Sequence, residues 1–202
     1  MKNRKNRCAW VPEGNELYIT YHDEEWGVPV FNDRKMFEFL VLESAQAGLS
    51  WITVLRKREA YRKAFANFNP VRVARFGQKD IGKLLQNEGI IRNRMKIEAA
   101  VNNAKQFLNI QKEFGSFYLY MWEFVNNKQI DGRRKTIKDI PAVSKEAELL
   151  AKDMKQRGFK FFGPTICYAH MQAVGMVNDH TINCFRHKKV KQGILKKSKL
   201  IK

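Results

Sequence analysis

Four side chains at the two ends of the chain have the types and spacing of a metal site. Cys8 and His22 lie near the start, in RCAW and YHDEEWG, and His180 and Cys184 lie near the finish, in VNDHTINC. Two thiolates and two imidazoles form a tetrahedral donor set suited to zinc. The spacing of the second pair, i and i+4, predicts one face of a helix for both. With all four positions filled by protein, such an ion is structural, and it staples the N-terminal segment to the C-terminal one.

A second constellation lies in LESAQAGLSWITVL. Glu43 falls among Leu40, Val41, Leu42 and Ala47, on or beside an apolar face. A carboxylate there must be paired, hydrogen-bonded or protonated. Trp51 follows across a break at Gly48. An acid and an indole facing one cavity suit a flat, cationic ring, through hydrogen bonds and cation–π attraction. The segment LYITYHDEEWG adds Tyr18, Tyr21 and Trp26, and Trp10 follows Cys8, which is dense aromatic content for a short polar stretch. Each of these residues also has an ordinary reading, as a surface glutamate or a core aromatic.

The elements that must carry these groups read as helices. Asp33 is the predicted N-cap of RKMFEFLVLESAQ, and Ser50 that of the next helix. Asn69-Pro70 opens another. Two more follow within 78–114, then SFYLYMWEFVNN. Ser144 caps KEAELLAKDMKQR, and Gly163-Pro164 opens TICYAHMQAV. With no useful alternating run, repeat or linker, the expected class is all-α in a single domain. The stretch RGFKFFGP between the last two helices brackets a short loop with Gly158 and Gly163. It is flanked by Arg157 and Lys160 and followed by a helix N-terminus that favours an anion. That is the outline of a helix–hairpin–helix DNA element, an outline shared by many αα-hairpins.

Charge narrows the partners. Among 202 residues, 38 Lys and Arg face 20 Asp and Glu, a formal net charge of +18. Residues 1–7 form a basic extension, and 187–202 a lysine-rich tail predicted to lack regular structure. The body at 8–186 stays basic without them, so nucleic acid is the first candidate partner. No run is apolar enough to span a bilayer. Three cysteines, an odd number, argue against a disulfide framework and fit a reducing cytoplasm. Cys167, in an apolar helix, reads as a small buried hydrophobe. No heptad or exposed apolar edge suggests assembly, so a monomer with no obligate protein partner is expected.

Taken together, RCAW, YHDEEWGVP, LESAQAGLSWITVLRKREAYR, GIIRNRMKIEAAVNNA, RGFKFFGPTICYAHMQAVGMVNDH and the final Cys184 resemble the 3-methyladenine DNA glycosylase I family, over residues 7–185 and in the family's order. The resemblance implies an all-α fold of the helix–hairpin–helix glycosylase group and one structural zinc held by Cys8, His22, His180 and Cys184. It implies double-stranded alkylated DNA as the partner and monofunctional hydrolysis of the 3-methyladenine glycosidic bond after base flipping. It assigns hydrogen bonding of the base to Glu43 and Tyr21, stacking to Trp51, and further walls to Trp10 and Tyr18. Gly48 and Leu49 fall on the turn that fills the gap left by the flipped nucleotide. Where the wider group places a catalytic aspartate, this chain has Asn178 followed by Asp179. Ser44 and Ala45 depart from the EGQQAGLSW of enterobacterial members, and changed groove contacts are expected there. A basic, zinc-stapled nucleic-acid-binding module without catalysis is the competing reading.

Overall fold

The computed structural model describes residues 5–197. The chain begins its regular structure with α1 (Glu16–Thr20), which runs directly into a π-helical turn at Tyr21–Glu25. Then come α2 (Asp33–Gln46), α3 (Trp51–Ala64), α4 (Pro70–Val73), α5 (Gln78–Gln86), α6 (Arg94–Phe114) and α7 (Phe117–Glu123). The rest is β1 (Ile130–Asp131), α8 (Lys145–Gln156), α9 (Pro164–Ala173), β2 (Val177–Asn178) and α10 (Phe185–Lys197). The predicted helical class holds. The exception among the described residues is one short parallel pairing, Ile130 with Val177 and Asp131 with Asn178.

The centre of the molecule is α2. Every residue from Met36 to Ala45 is buried, so over this stretch the helix has no wet face, and it packs against α3, α6, α7 and α9. Aromatic rings fill the space beside it. Phe37 meets Phe107 edge-on at 5.2 Å, and Phe107 stacks on Phe117 at 4.1 Å. Burial of each such ring stabilises the fold by about 1.5–3 kcal/mol.

A helix buried all round must satisfy any charge it carries. Glu38 does so through Arg58 and Arg62, at 2.8 and 2.9 Å, and Lys35 at 3.2 Å. Arg58 also forms a two-bond fork with Glu25 of the π-helical turn. This network ties the N-terminal segment to α2 and α3.

Helix ends follow the predicted signals with one correction. Asn69 caps α4 and Ser144 caps α8 through their side chains. Ser50 occupies the N-cap of α3, its hydroxyl paired with that of Thr53 at 2.8 Å. Asp33 is not the cap of α2. Asn32 is, accepting from the Lys35 amide at 3.0 Å. The Asp33 carboxylate instead takes the Phe117 and Tyr118 amides, both at 2.9 Å, and so caps the distant α7. Both residues are good caps, and tertiary contact decides which one serves which helix.

Two further expectations change. His180 and Cys184 do not share a helix face: α10 starts at Phe185, and a turn closed by the Cys184 amide on the Thr181 carbonyl separates the two ligands. The predicted unstructured tail is helical through Lys197, while 198–202 lie outside the described residues. Ser44 and Ala45 are both buried on α2, where their side chains bear on packing.

His170 on α9 is fully buried, and burial pushes its imidazole down to about 3 from an ordinary 6.5, opposed only by the Phe39 backbone. A base with a depressed folded pKa contributes stability above its unfolded pKa and loses it as pH falls toward the folded value. His170→Leu should therefore gain melting temperature relative to the parent as pH drops from 7 to 4. Parallel thermal melts across that range check this, and a constant difference would count against it.

Candidate active site and metal cluster

The predicted aromatic and acidic residues meet in one open cavity of about 370 Å³. Trp10, Tyr18, Tyr21, Glu43 and Trp51 all line it, joined by Trp26, Gln46, Ile137, Ile140, Ala169 and Gln172. Tyr21 faces Trp51 at 5.4 Å between ring centroids, and Trp10 lies against Tyr18 at 5.7 Å and Trp26 at 5.0 Å. Trp26 belongs to the aromatic segment LYITYHDEEWG and Gln46 to LESAQAGLSW, whereas the other four have no local sequence signal. Ile137 and Ile140 come from the β1–α8 connection, Ala169 and Gln172 from α9, and only packing brings them to this wall.

Glu43 is the unusual member. It lies five residues from the fully paired Glu38, on the same helix and equally buried. Yet its Oε2 has no hydrogen-bond partner, and neither do the buried indole nitrogens of Trp10 and Trp51. An unsatisfied buried polar atom costs about 1–3 kcal/mol. Three converging on one cavity mark the place where a ligand supplies the missing bonds. Burial alone pushes the Glu43 carboxyl up to about 8 from an ordinary 4.5. The acid is therefore protonated at neutral pH in the empty cavity. The Tyr21 hydroxyl is also raised, first by burial and then by the nearby Glu43. It stays a neutral donor and acceptor.

A turn joins α2 to α3 at the cavity mouth. Gly48 takes φ +78, a conformation that side chains rarely adopt. Leu49 beside it is 40% exposed. Lys96 on α6 fixes this turn by donating to the Ala45 and Ala47 carbonyls at 2.9 and 2.6 Å.

A short loop joins α8 to α9. Gly158 has φ +88, Phe159 and Phe162 anchor the loop in the core, and Gly158, Lys160 and Gly163 are exposed. Gly163 is the N-cap of α9 and offers no side chain to its first amides. Arg157 differs from its neighbours. Its guanidinium is already bonded to Asp153 at 2.7 Å and forked onto Glu113.

Cys8, His22, His180 and Cys184 converge although up to 176 positions of sequence separate them. All four are buried, and their donor atoms lie within 4.8 Å of one another. Cys8 Sγ and His180 Nδ1 are 3.5 Å apart, Cys184 Sγ and His22 Nε2 3.5 Å, and Cys184 Sγ and His180 Nδ1 3.6 Å. Bonds of ~2.3 Å to sulfur and ~2.0 Å to nitrogen around one tetrahedral ion put neighbouring S and N atoms about 3.5 Å apart. The outer ring nitrogens agree. His22 Nδ1 meets Asp23 at 2.8 Å and His180 Nε2 meets the Trp26 carbonyl at 3.0 Å. Both imidazoles thus keep the inward nitrogen free of its proton, as a metal ligand must. The residues present fit a metal.

Asn178 and Asp179 do not line the cavity. Asn178 is spent on the His187 carbonyl and the His180 amide. Asp179 is held by Arg134, Tyr168 and Gln172. Neither is placed to activate water.

A helical protein whose open cavity sets an unpaired acid among aromatic rings is of the class that takes a flat ring out of solution or out of a polymer. Comparison with known proteins makes the class particular. The profile described as methyladenine glycosylase matches residues 10–187, and the chain belongs to that family. It is 48% identical to DNA-3-methyladenine glycosylase 1 of Escherichia coli (strain K12), over 88% of this chain and 95% of that protein. A crystal structure of 3-methyladenine DNA glycosylase I superposes with a TM-score of 0.86 at 49% identity, covering 89% of this chain and 98% of the other. A tyrosine-to-phenylalanine variant of 3-methyladenine DNA glycosylase I, in complex with 3-methyladenine, superposes equally well at 0.86 and 39% identity, over 89% and 96%.

The Glu43 carboxyl makes the stability of the empty protein depend on pH. Between 4.5 and about 8 the unfolded chain ionises while the folded one does not. An acid with a raised folded pKa contributes most below its unfolded value and loses that contribution as pH rises through the folded one. Glu43→Gln should therefore melt increasingly above the parent from pH 5 to pH 9. Melting curves at constant ionic strength measure the gap, and a gap independent of pH would show that Glu43 is ionised in the folded state.

Proposed function

We propose that the protein performs the first step of base excision repair, hydrolysing the N-glycosidic bond of 3-methyladenine in double-stranded alkylated DNA, as a monofunctional enzyme. The observation that carries this reading is the unpaired Glu43 carboxyl, buried among Trp10, Tyr18, Tyr21 and Trp51 in an open cavity. A base inside a duplex cannot enter such a cavity, so the nucleotide must first be extruded. Gly48 and Leu49 are suited by their exposure to fill the gap it leaves. The hairpin loop of Gly158, Lys160 and Gly163 offers backbone amides and one free cation to the phosphates. Arg157, its charge already matched, braces that loop from within.

The chemistry follows from the charge on the base. A 3-methylated adenine still bonded to deoxyribose is cationic and leaves readily as the neutral base with the bond's electron pair, so strong protonation by an acid is unnecessary. Trp51 stacks on the ring while Glu43 and Tyr21 bond its edge. A cation beside Glu43 stabilises the carboxylate form, so the acid gives up its proton on binding. Neutral purines offer no such compensation. The sugar passes through an oxocarbenium-like state to which water adds, with no lysine adduct and therefore no strand nicking. Incubation of methylated DNA with the protein, followed by chromatography of the released bases, tests the reading. 3-Methyladenine should appear without strand breaks, and Glu43→Gln should release it at least about tenfold more slowly. No release by the parent protein overturns the enzyme in favour of a DNA-binding module.

In the same reading the glycosylase domain spans 8–186, the protein acts as a cytoplasmic monomer, and one zinc is held by Cys8, His22, His180 and Cys184. The ion is structural, since four protein ligands leave no open position for water or substrate. Purified protein should carry about one zinc per chain. Cys8→Ser should lower the melting temperature by roughly 10 °C, corresponding to a few kcal/mol in a chain of this size, while metal-loaded variant keeps base release. Elemental analysis and calorimetry decide this. A Cys8→Ser variant that melts like the parent sinks the staple.

A further inference from the structure

The α9 wall of the cavity carries a polar group that the reading above does not use. Gln172 lines the cavity, and its Nε2 donates to Asp179 Oδ2 at 2.8 Å. The Tyr168 hydroxyl donates to the same oxygen at 2.6 Å, and Arg134 Nε donates to Oδ1 at 2.8 Å. The Asp179 side chain is completely buried. Space for this hub is kept by Gly132, where any Cβ would overlap Oδ1 of Asp179. The main chain of Gln172 is held as well, its carbonyl accepting the Gly27 and Gly175 amides at 3.0 and 3.2 Å.

This arrangement settles the sense of the Gln172 carboxamide. A carboxylate ion-paired with arginine can only accept hydrogen bonds. The glutamine must turn its NH2 toward Asp179, and its Oε1 cannot point there. A free glutamine could offer either face to a ligand, whereas this one is restricted to offering an acceptor. The hub also joins the two elements that sequence reasoning missed on this wall. Arg134 belongs to the same connection as Ile137 and Ile140, and Tyr168 and Gln172 belong to α9.

We propose that Gln172 is a specificity-determining residue that reads the edge of the bound base with Oε1, and that Asp179 is the positioning residue that fixes its sense. The inference rests on the base-pocket reading and deepens it. An acceptor on this wall suits a purine edge carrying an exocyclic amine, as in adenine. It opposes one carrying a carbonyl at that position, as in guanine, because two acceptors then face each other out of water. The site selects for the amine as well as for the positive charge.

The test is equilibrium binding of free 3-methyladenine and 3-methylguanine, followed by tryptophan fluorescence and compared between the parent, Gln172→Met and Asp179→Asn. Methionine keeps the length of the side chain, removes the acceptor and leaves Asp179 paired with Arg134 and Tyr168. Gln172→Met should weaken 3-methyladenine about tenfold and leave 3-methylguanine unchanged or more tightly bound, so the preference falls by about an order of magnitude or more. Asp179→Asn frees the carboxamide to rotate and should erode the same preference. Should one variant not fold, the other carries the same comparison. An unchanged preference in a folded variant overturns the inference, as does equal weakening of both bases, which is what a mere packing wall would give. Failure of the parent to bind 3-methyladenine at all is a separate result, read before any variant, and it removes the base-pocket reading together with this one.

Discussion

Four of the five residues of the π-helical turn are committed to different partners, and both sites depend on them. Tyr21 enters the cavity, His22 enters the metal cluster, Asp23 orients His22, and Glu25 takes the Arg58 fork and Lys35. In an α-helix adjacent residues diverge by about 100°, and one of Tyr21 and His22 would tend toward solvent. The wider turn, closed by the Trp26 amide on the Tyr21 carbonyl at 2.9 Å, keeps both inside. Such turns are rarer and less favourable than α-helical ones and persist where the surroundings over-determine them. Here those surroundings are the Arg58 network on one side and the cysteine–histidine cluster on the other.

The same logic explains why the chain ends meet. The N-terminal segment has few apolar contacts of its own until Trp10, and α10 is rich in lysine. Neither would hold the other by burial. Arg7 forks onto Asp23, the Phe185 amide bonds the Asn6 carbonyl, and the four metal-type ligands close the remaining gap. Clamped in this way, Trp10 and Tyr21 become fixed walls of a cavity whose floor lies on α2.

Much of this was legible in the residues. The Cys/His set, the acid among apolar neighbours, the aromatic density around it and the glycine-bracketed hairpin each carry a local signal, because each needs particular side chains at particular spacings. What was not legible was where tertiary contact overrules a local rule. Asp33 reads as the cap of α2 and serves α7 instead. His180 and Cys184 have helical spacing but flank a turn outside any helix, since converging on Cys8 and His22 matters more than sharing a face. Gln172 looks like a surface residue of α9, and nothing in its neighbourhood in the sequence announces that Asp179 and Arg134 will hold it.

Glu38 and Glu43 on one helix show what sets a structural acid apart from a functional one. Both are equally deep. Glu38 has three cations within 3.2 Å and is a finished interaction, whose removal would strand those cations. Glu43 has been denied a cation by the protein and left with aromatic faces around it. A permanent counter-ion there would hold the carboxylate ionised and satisfied, and an incoming cationic base would then have to compete with it. With none, the acid stays protonated and the empty cavity holds no net charge. Only a ring that brings its own positive charge makes ionisation of Glu43 favourable. The stability forgone at Glu43 is thus what makes the cavity discriminate by charge, and the fully paired network around Glu38 and Arg58 offsets it within the same helix.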